Sequence, residues 1–384
     1  MFKFQPIATL WLLVLFLLVG SAWMNFARAD QTQRLPHIQL AILLDTSGSM
    51  DGLIDQTRNQ LWQVVNEFST ARQGGLTPVL EIALYEYGND SASSNRGFVR
   101  KISGFTRELD QISQGLFALT TNGGSEYCGY AIQSALNDLQ WSNADSDIKT
   151  IFIAGNEPFT QGPVDYRDAV EQARRMGVTI NTIHAGDYQA GILEGWRSGA
   201  LLAGGDYMSI DHNIQVVHLE APQDEQIAKL NQQLNATYLP YGEQGSAKHE
   251  LQLEQDAQSS QISSGLLAKR ARVKASTFYD NSSWDLVDAY RQGNVDVDSI
   301  KQYEAATLPS PMQEMTPGEQ IEYLDSQSKE RESIQQKINE LSKSRDAYLA
   351  EKRAETAEQA PSMSDALVES VKKQAEVKSF EFIE

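Results

Sequence analysis

The sequence predicts an α/β fold: a doubly wound, mostly parallel sheet flanked by helices, followed by a helical C-terminal extension. Three observations predict it. Apolar runs of β-forming residues recur between Pro36 and Asp211, with amphipathic helical segments between them. Two of these runs, 37–44 and 150–154, are apolar on both faces, as central strands covered on both sides must be. Beyond about Asn213 such runs cease, and Gln, Glu, Ser and Lys dominate.

The first 29 residues stand apart. Lys3, the apolar run from Leu10 to Val19 and the Ala27-Arg28-Ala29 triplet have the layout of a secretory signal peptide, which predicts a mature chain from Asp30. An uncleaved anchor is the alternative, because Ile7 to Phe26 approaches the ~20 apolar residues that span a bilayer. Export to a periplasm is the expected address, with an extracellular or inner-membrane-anchored protein as alternatives.

From Pro36 the expected strands are 37–44, 79–87, 150–154 and 178–184, with a weaker one at 97–102 and a short last one at 207–210. Leu61, Val64, Val65 and Phe68 give one helical face; Leu109, Ile112, Leu116 and Leu119 give a second. Further helices are expected over 130–139, over 166–176 with Gly177 as its stop, and over 192–202. This domain is expected to span 36–211.

A mixed helical linker is expected over 212–315. It holds a helix ending near Asn235 and a short helix capped by Ser282 or Ser283, carrying Trp284, Val287 and Tyr290 and stopped by Gly293. Thr316, Pro317 and Glu319 form a capping box that opens a long helix over 316–358. Its apolar positions Ile334, Ile338, Leu341 and Tyr348 are heptad-like, but Arg331 and Arg345 occupy core positions. That favours a solvated or bundle-packed helix over a dimerising coiled coil. Residues 359–384 are expected to form a mobile tail.

The chain has 384 residues, 41% hydrophobic and 22% charged, with a formal net charge of −19. A field of that sign repels nucleic acid and anionic lipid, and attracts divalent cations and basic partners. Beyond the leader no stretch is apolar enough for membrane insertion. Cys128 is the single cysteine, so no disulfide can form within the chain; at a helix start it reads best as a small buried hydrophobe. No nucleophile elbow, phosphate loop or HExxH pattern occurs, and nothing pairs a general base with an activated nucleophile, so no enzyme is expected. His184 ends a strand and reads as a packed side chain. His212 and His218 are six apart and would not share a helical face.

The chemistry concentrates in "IQLAILLDTSGSM", Ile38 to Met50. An apolar strand ends and presents Asp45, Ser47 and Ser49 at alternate positions, so their oxygens converge on one point. Carboxylate and hydroxyl oxygens are the hard donors that Mg2+, Mn2+ or Ca2+ prefer. In doubly wound sheets ligands bind beyond the carboxyl ends of the strands, which is where Asp45 stands. The alternative is that this turn merely caps the following helix.

The Asp-x-Ser-x-Ser pattern, with the order of strands and helices over 36–211, resembles the metal-ion-dependent adhesion motif of the von Willebrand factor type A domain family, which has a Rossmann-like sheet. The resemblance implies a divalent cation held by protein oxygens, with one coordination position left for a carboxylate of a partner protein. It also implies two further loops. The second reads "TTNGGSEYCGYAI", where Ser125 follows the glycines and Glu126 follows Ser125; either can bind a hard cation. The third normally supplies an aspartate, but here reads "IFIAGNEPF" with Gly155 at that place and Glu157 two residues on. A shift of one residue re-aims a side chain by roughly the ~3.3 Å rise of a strand. The expected metal set is therefore Asp45, Ser47, Ser49, Ser125, Glu126 and Glu157. Two functions follow: protein binding through a cation held there, or a metal-free scaffold in an envelope complex that uses the fold and its acidic helical tail.

Overall fold

The computed structural model describes residues 34–48, 50–210, 220–303, 307–355 and 363–383. The leader, Ser49, His212 and His218 lie outside the described residues. From Pro36 onward the chain packs as a single unit. Among the described residues no helix is long and apolar enough to cross a membrane.

The sheet has six strands: β1 (His37–Asp45), β3 (Val79–Tyr87), β4 (Val99–Thr106), β5 (Ile148–Gly155), β6 (Thr179–Ala185) and β7 (Tyr207–Ile210). Their order is β4-β3-β1-β5-β6-β7, with all neighbours parallel except β3 and β4. The two-sided apolar runs are the central strands β1 and β5, as expected, since helices cover both faces. Each strand alternates its side chains between the faces. Ile38, Leu40 and Leu44 join one core cluster, while Ala41 and Leu43 join the other.

On the first face lie α1 (Asp51–Phe68) and α2 (Leu109–Ala118); on the second lie α3 (Cys128–Asp138) and α4 (Tyr166–Arg175). The helix expected over 192–202 is two helices, α5 (Tyr188–Leu193) and α6 (Trp196–Leu202). Gly195 between them has φ 97°, a left-handed backbone that breaks the run.

The helices after β7 pack on α1 and α2 and on one another. They are α7 (Asp224–Ala236), α8 (Gly245–Ile262), α9 (Ser264–Lys274), α10 (Leu286–Arg291), α11 (Val297–Ile300) and α12 (Pro317–Glu355). α9 lies along α1, where the Asn66 amide donates to the Lys269 carbonyl at 3.0 Å and the Arg270 guanidinium stands 5.2 Å over the Trp62 ring. Asp285, and neither Ser282 nor Ser283, caps α10: its carboxylate accepts from the Asp288 N–H. Trp284 precedes that helix and stacks on Tyr238.

The capping box of α12 forms as expected: the Thr316 N–H donates to Glu319 at 2.7 Å and the Glu319 N–H donates back to Thr316. Ile334 and Ile338 are buried against the same chain. Arg331 sits at its core position because Asp285 and Asp288 meet it at 2.6 and 2.7 Å; Arg345 does so because Asp224 meets it at 2.6 Å.

Where a mobile tail was expected over 359–384, the described part is ordered. α13 (Met363–Val377) carries Leu367, Val371 and Ala375 on one face into the core, and β8 (Phe380–Phe382) pairs antiparallel with the short strand β2 (Ala71–Gln73). Gln374 and Ser370 reach Asn181 on β6 at 2.8 and 3.2 Å, satisfying a buried amide in the middle of the sheet. A segment with three apolar anchors gains its order from this seat, which its own sequence does not show.

Candidate functional site

Asp45 ends β1 with its side chain fully buried, level with Tyr87 on β3. The turn after it is tied to its neighbours by backbone: Thr46 N–H donates to the Tyr87 carbonyl at 2.9 Å, Gly48 N–H to Gly123 at 2.7 Å, and Asn122 N–H to Thr46 at 2.9 Å. The first and second loops are thus fixed against each other before any ligand is considered. Gly123 has φ 88°, and a Cβ there would fall within 2.3 Å of Asp90.

The structure separates the two second-loop candidates. Ser125 is half-buried. Glu126 is buried, and its N–H donates to Gln161 at 2.6 Å. Gly88, just past β3, shows where the acids point: a Cβ on it would lie 2.8 Å from Asp45 Oδ1, 2.9 Å from Glu126 Cγ and 3.6 Å from Ser47 Cβ. Asp45, Ser47 and Glu126 therefore gather around one bare Cα. Glu157 is half-buried, its carbonyl holding Trp196 Nε1 at 2.9 Å.

The electrostatics agree. Burial raises Asp45 from 3.8 to about 6 against the Ser47 N–H it accepts at 2.8 Å, and the charge of Glu157 adds to the rise. Burial likewise raises Glu126 from 4.5 to about 7, with Asp45 and Glu157 adding to it. The Asn156 N–H approaches the Asp45 carboxylate, but burial outweighs it, and the buried Asp45 Oδ2 makes no hydrogen bond of normal geometry among the described residues. Nor does any lysine or arginine among them form an ion pair with Asp45, Glu126 or Glu157.

Position 155 of the third loop has no room for a carboxylate. A Cβ on Gly155 would come within 2.4 Å of the Tyr87 hydroxyl and 3.0 Å of Asp45 Oδ2. Tyr87 is fully buried, donates to the Ala154 carbonyl at 2.9 Å, and takes up that space. Cys128 lies beneath, also fully buried, with its sulfur 3.7 Å from the Tyr87 hydroxyl; burial raises both groups. His184 is held between the Asp187 carbonyl at 3.1 Å and Glu194 at 3.3 Å, and packs beside Trp196, away from these acids. Among the described residues no three histidine, cysteine, aspartate or glutamate side chains converge closely enough to hold a metal by themselves. What does converge is two carboxylates and the Ser47 hydroxyl, all hard oxygen donors. That set, with a buried carboxylate oxygen that makes no hydrogen bond of normal geometry, fits a small divalent cation.

Sequence reasoning missed Tyr87 and Gly88. The glycine directly after an apolar strand in "YEYGND" is the signal that could have found the second.

Residues 39–194 match the family model of the von Willebrand factor type A domain. The sheet region has the fold of that family. Five of its six strands and the Asp45 turn at the end of the central strand fall within or overlap the match; β7 lies beyond it. No curated protein matches the sequence. Among solved structures, the chain is similar to proximal thread matrix protein 1 from the mussel byssus, at 14% identity and a TM-score of 0.34, over 46% of this chain and 42% of that one. It is also similar to the conserved hypothetical protein BatB from Bacteroides thetaiotaomicron, at 14% identity and 0.34, over 45% and 90%. A third is the pilus adhesin SpaC from Lactobacillus rhamnosus GG, at 13% and 0.34, over 47% and 28%. The chain therefore spans less than half of the first and third of these proteins.

Proposed function

We propose that this is an exported, non-enzymatic binding protein whose type A domain captures a partner protein through a divalent cation, Mg2+, Mn2+ or Ca2+, at the lip of the sheet. Asp45, Ser47, Ser49 and Glu126 would hold the ion; Ser125 and Glu157 stand at its margin. The observation that carries the reading is the buried Asp45 Oδ2, which makes no hydrogen bond of normal geometry, packed with Glu126 around Gly88 and paired with no lysine or arginine among the described residues. Burying a carboxylate without compensation is costly, and a cation is the ligand whose charge removes that cost. When bound, the ion supplies a Lewis-acidic contact point for an oxygen of the partner. The chain's own part is to fix the donors: the Thr46, Gly48 and Asn122 hydrogen bonds lock the two loops, and Gly88 lets Glu126 approach. The leader over 1–29 supports an exported address, with the periplasm as the compartment.

A metal-free scaffold is the second reading, favoured by Tyr87 filling the third-loop position. Melting the full chain in excess Mg2+, Mn2+ or Ca2+ against chelator separates the two. An ion that binds only the folded state adds ~2.7 kcal/mol at a hundred times its dissociation constant, and Asp45→Ala should abolish the shift. An unchanged midpoint with all three ions would leave the scaffold.

A further inference from the structure

The third loop has no carboxylate at position 155, yet it meets the lip at another place. A turn sets the Gln161 N–H on the Pro158 carbonyl at 2.9 Å, and the Gln161 side-chain oxygen accepts from the Glu126 N–H at 2.6 Å. Two close approaches flank that bond. A Cβ on Gly162 would fall 2.6 Å from the Tyr127 ring, and one on Gly129 would fall 2.4 Å from the Val164 carbonyl. Glycine at both positions lets the third loop lie directly on the start of α3. The loop is itself anchored. Phe159 is fully buried against the rings of Tyr166 and Trp196, its N–H donates to the Glu194 carbonyl at 3.0 Å, and Trp196 Nε1 donates to the Glu157 carbonyl at 2.9 Å.

We propose that Gln161 is a positioning residue of the metal lip: it holds the backbone of Glu126 so that the Glu126 carboxylate stands against Asp45 before an ion arrives. The inference rests on the metal reading above and goes beyond it, because it gives the third loop a task other than ligation. Like charges make such a hold necessary. Glu126 is packed beside Asp45 around Gly88, and the charges of Asp45 and Glu157 both act on it. Acids that close repel, so a Glu126 free to swing would turn its carboxylate towards water. Its own helix does not hold it: α3 begins at Cys128, Tyr127 gives that helix no side-chain cap, and the Glu126 N–H lies outside the helical ladder. Gln161 takes up this N–H from a loop that Phe159 pins in place. It does so with a neutral oxygen, which fixes the backbone without adding another negative charge to the lip. Donors held in place before the ion binds cost less to order when it does.

The test uses the full chain with Mn2+ alone as the probe, its affinity read by water-proton relaxation on protein shown to be folded by circular dichroism. Gln161→Leu keeps the bulk and removes the acceptor. It should weaken Mn2+ about tenfold or more, on the scale of partners that orient metal ligands. In a Glu126→Gln background the same change should have no further effect, because the group it positions is gone. Gln161→Glu keeps an acceptor oxygen at the same reach and should bind Mn2+ at least as tightly as wild type. A general loosening of the loop would instead weaken Mn2+ alike in both backgrounds, and that result overturns the inference. So does a Gln161→Leu that binds like wild type, or a Gln161→Glu that loses as much as Gln161→Leu. If Gln161→Leu does not fold, Gln161→Glu and amide hydrogen exchange of Mn2+-loaded wild type decide: the Glu126 N–H should be protected, and exchange at the rate of an open loop overturns the inference. In each of these cases the metal reading stands. If wild type binds no Mn2+, the metal reading falls and takes the inference with it.

Discussion

Asp256 in the helical body and Asp45 at the lip of the sheet are both buried carboxylates, yet the chain treats them in opposite ways. Asp256 on α8 meets Arg270 at 2.6 Å, Lys274 at 2.7 Å, and the amides of Asn231 and Asn235 at 2.8 Å. Burial alone would raise it, but Lys274 and Arg270 overcome burial and hold it well below the usual carboxylate range. Asp45 has only neutral donors, the Ser47 N–H and hydroxyl and the Asn156 N–H, and no ion pair among the described residues, so burial wins and carries it up. The helical body balances its charges from within, and those charges are part of how it packs. The lip has no such cationic partner among the described residues.

The body does not balance them perfectly. Arg331 stands between Asp285 and Asp288, one guanidinium for two carboxylates, and burial still carries Asp288 to about 6. The comparison can be broken there first. Arg331→Met strands two buried carboxylates beside Thr237 and should cost about 3–5 kcal/mol in urea denaturation. Asp45→Asn in chelator should cost little or even stabilise, because it removes a charge that nothing opposes. Equal losses in the two variants would erase the distinction.

Stability against pH sharpens it next. A carboxylate whose folded pKa is raised binds its proton more tightly when folded, so its contribution is full at low pH and is lost as pH rises through the folded value. For Asp45 and Glu126 that window runs from about 4 to about 7. Metal-free protein should lose roughly 2–3 kcal/mol across it from Asp45 alone. Asp256 has the opposite sign: its contribution is present above about pH 4 and is lost only as pH falls further, so it adds no slope in the window. Urea denaturation of wild type and Asp45→Asn in chelator checks this; a wild-type profile as flat as the variant's would contradict the uncompensated lip.

How much of this could be read from the sequence follows from which interactions are local. The sheet, its central strands and the Asp45 turn were legible, because two-sided apolar runs and an alternating donor pattern are properties of consecutive residues. The α12 capping box was legible for the same reason. Arg331 and Arg345 stood out as misfits in a heptad, but their partners Asp285, Asp288 and Asp224 lie tens of residues away, so the misfit could not be seen as a match. α13 and β8 were illegible: their order comes from a seat built by α1, β2 and β6. At the lip, Ser125 and Glu126 could not be ranked in one dimension, because what ranks them is Gly88, brought alongside by β3. Tyr87 was read only as a strand residue, and its role as the occupant of the third-loop space depends on the register that sets β3 beside β1.

That occupant provides the smallest and most local way to break the comparison. If the lip lacks a third-loop carboxylate only because of sequence drift, Gly155→Asp should restore it at no structural cost. The geometry says otherwise, since the new Cβ would press on the Tyr87 hydroxyl and approach Asp45 Oδ2. Forcing atoms into a filled core costs about 1–3 kcal/mol, so Gly155→Asp should melt lower than wild type by an amount in that range. Tyr87→Phe alone should lose about 1 kcal/mol with its hydrogen bond to the Ala154 carbonyl. Combined, the two should lose less than the sum, because removing the hydroxyl makes the room the aspartate needs. Strict additivity in this double-mutant cycle would mean that Tyr87 is not what excludes a third-loop ligand, and the reason for the incomplete lip would have to be sought elsewhere in that loop.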